Sequence, residues 1–383
     1  MYSALILVTS AAVGVLGRSI WGVCVVAIVV PRKRSHAHYD ARGKWQPDDD
    51  QHNSVQRSNL VRAGSLTVRI RFVRLMMTRR LPILALFLLG PLQYAGAQTT
   101  KPESQPAAAP AVAPREPMTV MTFNIRYGTA KDGENEWSAR REMLFDVIRN
   151  TNPDLLGLQE ALDFQIDEIL AAVPGYAVVG VGRDDGAEKG EYSAILFRKD
   201  RFHVAEAGTF WFSDTPSVIA SKSWGNQITR ICSWARLIDR DGRGFYHFNL
   251  HLDHQSQPSR ERSTVLLRGR IDTRAVPDPV IVTGDFNVGE ANPALSTLTV
   301  PGGNGAPAFL DTFRVLHADV KDAGTFSGFK FGTGGPDKID YVLVQPGTEV
   351  MSAEIVRYSR NNRYPSDHFP VTARVRLVDR PRP

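Results

Sequence analysis

A chain of 383 residues, 43% of them hydrophobic, is long enough for one large domain or two ordinary ones and for a substantial core. Its formal charge of +6 is uneven: residues 1–97 hold 13 Lys and Arg against 4 Asp and Glu, whereas residues 98–383 hold 33 against 36, a net of −3. That second part has no global attraction for polyanions, which leaves only a local basic groove as a route to nucleic acid.

Residues 4–30 are largely apolar and PRKR follows at 31–34, the pattern of a membrane segment, but Arg18 lies in the middle of the run. Met76-Met77-Thr78-Arg79-Arg80, the apolar LPILALFLLG and Ala95-Gly96-Ala97 read as the three parts of a secretory signal peptide over 76–97. The reading favoured is a translation start at Met76 or Met77, residues 1–75 being an over-extended N-terminus with no fold predicted, and export to the periplasm or medium. Processing after Ala97 leaves Cys232 as the single cysteine, in an apolar context that suits a core thiol, and excludes an intrachain disulfide. Residues 98–116, rich in Pro, Ala and Gln, are a flexible tether, and 117–379 are one catalytic domain. No stable membrane anchor is expected in the processed protein, which is expected to be a monomer.

Within that domain, 118–125 is an apolar strand ending at Asn124. Residues 138–150 carry Leu144, Val147 and Ile148 at helical spacing, and 154–160 is a strand ending at Glu160. A helix stripe over 162–173 stops at Pro174-Gly175. Strands then dominate: 176–181, 192–198, 206–213, 228–238, 245–252, 279–283, 339–344 and 370–377, with a helix over 258–272. In 245–252, Tyr246, Phe248, Leu250 and Leu252 share one face and His247, Asn249, His251 and Asp253 the other; only the C-terminal end should reach a cleft, which selects His251. Many strands with a few helices fit two packed sheets flanked by helices.

Polar signatures stand at the strand ends. Glu160 ends an apolar strand where a carboxylate has no structural use and suits Mg²⁺, and Asn124 ends a neighbouring strand. Gly284-Asp285-Phe286-Asn287 follows a strand, with Gly284 read as a tight turn and Asp285 and Asn287 on one side. Asp340 begins a strand and Ser366-Asp367-His368 precedes another; an imidazole beside carboxylates can activate water, with a second carboxylate fixing its tautomer. Each signature alone also fits a cap or a loop anchor. Together they are the equipment for metal-assisted phosphoester hydrolysis.

TFNIR, GLQE, GEYSAILF, NLHLDH, GDFN, DKIDY and SDH, in this order over 118–378, resemble the endonuclease/exonuclease/phosphatase superfamily, and GTFWFSDTP with SKSWGNQITR is similar to a secreted bacterial branch. The resemblance implies an α/β four-layer α-β-β-α sandwich of two mixed β-sheets, deoxyribonuclease I-like, with the site at one end. It implies Glu160 as the principal Mg²⁺ ligand, with Mn²⁺ able to substitute, and Asn124 and Asp367 on the metal side. It implies His251 and Asn287 on the phosphate, with Tyr192 and Arg230 as further phosphate contacts. Asp285 and Asn287 would handle the water or leaving group, and Asp340 would orient His368. The expected activity is phosphodiesterase- or nuclease-type hydrolysis, with small-molecule or lipid phosphoesters as the alternative and a catalytically silent binding module as the remote one; nucleic acid is a possible partner.

Overall fold

The computed structural model describes residues 5–8, 25–28, 38–40, 42–46, 113–302 and 307–379. The expected signal peptide over 76–97 and most of the expected linker lie outside the described residues. Within 1–75, Leu5–Val8 pairs with Val25–Ile28 and His38–Tyr39 with Trp45–Gln46, both antiparallel.

The first sheet contains β1 (Met118–Asn124), β2 (Leu155–Gln159), β3 (Tyr176–Val179), β4 (Ile195–Arg198), β11 (Glu349–Ile355) and β12 (Val371–Arg376). Their order is β11-β12-β1-β2-β4-β3, with β1 and β2 parallel and the other pairs antiparallel. The second contains β5 (Phe202–Trp211), β6 (Ile231–Asp239), β7 (Gly244–His251), β8 (Val280–Asp285), β9 (Leu310–Asp311) and β10 (Asp340–Val344). Their order is β9-β10-β8-β7-β6-β5, with β7 and β8 parallel.

Both sheets are therefore mixed; helices cover their outer faces, and a short one, Thr312–Leu316, instead puts Phe313 into the seam between the sheets. The helices are α1 (Trp137–Thr151), α2 (Asp163–Ala172), α3 (Gln257–Asp272), α4 (Pro293–Thr299) and α5 (Thr312–Leu316). Leu144, Ile148, Ile166 and Ile169 of α1 and α2 pack on Met121, Phe123, Leu156 and Leu158. Leu267, Ile271, Leu295 and Leu298 of α3 and α4 pack on Tyr246, Phe248, Leu250 and Val282. Between the sheets lies a third cluster that includes Val120, Leu155, Phe197, Phe245, Ile281, Val342 and Val371. Three apolar seams separating four layers are what period-2 strands and period-3.6 helices produce when every apolar face is covered. This is the four-layer sandwich the motifs imply.

The polar face of β7 is not solvated. His247 and Asn249 point into the inter-sheet seam, fully buried, where a hydrogen-bonded chain replaces apolar packing. His247 Nε2 lies 2.8 Å from Thr283 Oγ1, the Thr283 hydroxyl donates to Asn249 Oδ1 at 2.9 Å, and Gln159 Nε2 donates to Asn249 Oδ1 at 2.7 Å and Thr122 Oγ1 at 3.0 Å. Gly157 makes room for this chain, since a Cβ there would stand 2.4 Å from Thr283 Oγ1 and 2.5 Å from Asn249 Oδ1.

Three differences from the sequence reading have physical causes. Gly284 is inside β8 and does not turn: a Cβ there would stand 2.5 Å from the Leu250 carbonyl oxygen of the adjacent parallel strand, and the left-handed residue is Asn287 (φ 52°). Strand β11 escapes detection because it is an edge strand with Glu349, Met351 and Ser352 exposed, so it lacks a regular apolar stripe. Residues 42–44 are seated on the edge of the first sheet: Val178 N donates to Gly43 O at 3.1 Å, and Lys44 Nζ, largely buried, is bonded to Asp163 at the start of α2.

Candidate active site

Strand register assembles the site. His251, Asp285 and Asp340 are direct cross-strand partners on β7, β8 and β10, so they form one transverse row at the end of the second sheet. Asn124 and Gln159 form the corresponding row of the first sheet, with Glu160 next in the chain. The two rows meet where Asn124 Nδ2 donates to Asp285 Oδ2 at 2.9 Å and to Glu160 Oε1 at 3.1 Å. Arg126 (φ 55°), Glu160 (φ 58°) and Asn287 (φ 52°) all hold left-handed backbone, a conformation that persists in non-glycine residues only where the surroundings over-determine it. Arg140 of α1, 1% exposed, ties two of the motif loops together, donating to Ile125 O at 2.7 Å and Pro365 O at 2.9 Å.

Asp285 is the hub. Its Oδ1 accepts from Asn287 N at 2.9 Å; its Oδ2 accepts from Asn124 and also faces His251 Nε2 at 3.4 Å and His368 Nε2 at 3.8 Å. Burial, and then the charge of Asp340, push its carboxyl pKa upward, into the range where it can take and return a proton near neutrality. His368 Nδ1 lies 2.9 Å from Asp340 Oδ2. Burial opposes its charged form, yet Asp340 and Asp285 outweigh that and hold the imidazole well above its ordinary value. His251 is the reverse: burial, and then Arg230, drive its pKa well below the ordinary value, so it is neutral.

Glu160 and Asp367 converge on Arg126, whose guanidinium lies 4.0 Å from Glu160 Oε2 and 3.9 Å from Asp367 Oδ2 while paired with Asp132 at 2.8 Å. Burial raises the Asp367 pKa. Oxygen donors of this kind fit Mg²⁺ or Mn²⁺. Asp285, Asp340 and His368 also offer ligand atoms within 4.8 Å of one another, and Asp340 Oδ1 is buried without a hydrogen-bond partner among the described residues. That second set includes a nitrogen already paired with its neighbouring carboxylate, so the oxygen pair is the better match for a hard ion.

The remaining expected residues are placed as follows. Asn287 Nδ2 donates to Leu252 O at 3.0 Å. The Tyr192 hydroxyl is committed to Asp163 and the Ala187 carbonyl oxygen, each at 2.8 Å, with Lys44 Nζ 5.8 Å from the ring centroid. Tyr192 and Arg230 line one small cavity with Arg183, Glu191 and His251. Arg230 is 3% exposed, its guanidinium between His251 and His254. Sequence reasoning passed over Arg126, Arg183, Glu191 and His254. Arg126, Glu191 and His254 stand inside TFNIR, GEYS and NLHLDH, so treating each motif residue by residue could have found those three.

A family model described as "Endonuclease/Exonuclease/phosphatase family" matches residues 121–368. Among solved structures, an endonuclease/exonuclease/phosphatase family protein from Bacteroides thetaiotaomicron is 32% identical, covering 69% of this chain and 100% of its own, with a TM-score of 0.62. One from Bacteroides vulgatus is 32% identical over the same shares, with a TM-score of 0.63. The mannosyl-6-phosphatase Bt3783 of Bacteroides thetaiotaomicron is 33% identical, covering 67% of this chain and 99% of its own, with a TM-score of 0.60.

Proposed function

The chain belongs to the endonuclease/exonuclease/phosphatase family, and from that premise we propose that it is a Mg²⁺-dependent hydrolase of small phosphoesters, with the phosphomonoester of a sugar as its substrate class. The observation that carries hydrolysis is the convergence of Asn124, His251 and His368 on Asp285 Oδ2. The sugar phosphate is supported by the mannosyl-6-phosphatase at 33% identity. A net charge of −3 over residues 98–383 weighs against a polyanionic nucleic acid, which would draw affinity from counterion release.

In this reading Glu160 and Asp367 hold the metal ion, which when bound neutralises charge on the phosphoryl oxygens. Asn124 keeps Glu160 and Asp285 apart and oriented by donating to both. Asp285 Oδ2 takes a proton from the attacking water as the new P–O bond forms. His251 Nε2–H supports the Asp285 oxygen that takes the proton, and the His368 imidazolium, held by Asp340, gives its Nε2 proton to the leaving ester oxygen as that P–O bond breaks, to be reprotonated from Asp285 once the alcohol and phosphate have left.

The test is release of inorganic phosphate by the full chain with Mg²⁺ from hexose 6-phosphates and p-nitrophenyl phosphate, against bis-p-nitrophenyl phosphate and single-stranded DNA, with His368→Ala as control. Monoester turnover that is lost in the control is the expected result. Faster cleavage of either diester would replace the proposed substrate class, and equal rates in the control would remove the site.

A further inference from the structure

Resting on that reading of the site, we propose that Arg230 is a positioning residue that locks His251 and His254 as a tandem pair of neutral Nε2–H donors, and that His254 is a phosphate-binding residue at the mouth of the site.

A guanidinium carries only N–H groups and keeps its charge, so any ring nitrogen it bonds must present a lone pair. One terminal nitrogen of Arg230 lies 3.1 Å from His251 Nδ1 and the other 2.7 Å from His254 Nδ1. A neutral imidazole has one lone pair and one N–H. With both Nδ1 atoms accepting, both rings carry their proton on Nε2, and adding a second proton to either would set N–H against N–H.

A competing acceptor exists for His251: Glu191 Oε2 is 4.0 Å from the same Nδ1 and would favour the opposite tautomer. It loses on distance and on prior commitment, because Arg183 holds both Glu191 oxygens, the second at 2.8 Å. Arg230 is itself fixed, with Nε 3.5 Å from Asp253 Oδ2 and only 3% exposure. The depressed pKa of each imidazole, from burial first and Arg230 next, agrees with two neutral rings.

The two donors have different stations. His251 is buried and its Nε2–H faces Asp285. His254 is exposed, three residues on, yet still within the field of Glu160 on the opposite sheet. The pair therefore spans from the hub to the solvent side, and one guanidinium sets both.

Full-length protein with ¹⁵N-labelled histidine tests this by long-range ¹H–¹⁵N correlation. His251 and His254, assigned by single substitution, should each show a pyrrole-type Nε2 and a pyridine-type Nδ1. Arg230→Gln should produce tautomer mixtures at both rings. Inorganic phosphate is the binding probe: His254→Ala should weaken it about tenfold, the effect of one hydrogen bond to a charged group, and Arg230→Gln at least as much. A wild-type spectrum with the proton on Nδ1 of either ring overturns the lock even if Arg230→Gln fails to fold, as does an unchanged pattern in that variant. Equal phosphate affinity in wild type and His254→Ala overturns the role of His254. Wild type that neither binds phosphate nor hydrolyses any ester, with both tautomers as expected, refutes the phosphoester reading and with it the role of His254, but not the lock.

Discussion

Two imidazoles, His251 and His368, aim Nε2 at the same carboxylate oxygen, 3.4 Å and 3.8 Å away, and both are almost fully buried. Desolvation acts on both in the same direction. Their charge states nevertheless differ, because the Nδ1 of one meets a guanidinium and that of the other meets Asp340. Burial alone does not decide what a histidine does here; the partner on its far nitrogen does.

The largest break in that comparison comes from removing the carboxylate side. His368→Ala and Asp340→Asn should each lower kcat by roughly 10²–10⁴-fold with the fold retained, and the double variant should lose little more, since the pair acts as one unit. Additive losses measured in the double variant would show two independent roles.

Glu160→Gln should come next: the Mg²⁺ concentration for half-maximal rate rises, while both imidazoles keep their charge states. Exhaustive EDTA dialysis of wild type should abolish turnover and Mn²⁺ should restore it; activity surviving chelation would remove the metal from the account.

The comparison also has a pH signature. His368 has a raised pKa, so activity that needs its imidazolium is present below that value and falls as pH rises through it. Asp340→Asn removes the nearest source of the shift and should move the alkaline limb to lower pH, read from kcat against pH. Burial and Arg230 hold the His251 pKa well below its ordinary value, so His251 should contribute no alkaline limb.

His247 sharpens the contrast as the smallest case, a third buried imidazole with neither kind of partner. Burial alone lowers its pKa to about 3. The unfolded chain therefore binds a proton near its ordinary value that the folded chain refuses, and stability declines as pH falls from about 6.5 toward 3, by at most ~1.4 kcal/mol per pH unit. His247→Gln should flatten that part of the stability curve in urea titrations, and an unaltered slope would show that His247 is not its source.

How much of this is legible in the residues themselves depends on the range of the cause. Alternation over 245–252 separates the two faces of β7 and selects His251 over His247, because a strand's geometry is local. The destination of the polar face is not local. His247 and Asn249 look solvated until Thr283 and Gln159, distant in sequence, supply their buried partners. Likewise Arg230 reads as a phosphate contact, whereas its position between two Nδ1 atoms follows from the packing of β6 against β7. The Asp340–His368 pair was legible only through the ordered set of motifs and the resemblance they carry, since either signature alone also fits a cap or a loop anchor; the role of Arg126 beside Glu160 and Asp367 was not, since an arginine after a strand end has many uses.

The transverse row of His251, Asp285 and Asp340 makes chemistry a gauge of strand alignment. Side chains alternate along a strand, so a slip of one residue between β7 and β8, or between β8 and β10, would send its member of the row to the opposite face while most ladder hydrogen bonds re-form. Turnover in this protein is thereby a finer test of correct pairing than circular dichroism. During refolding, regained strand content should precede regained activity by whatever time the sheet needs to find its register.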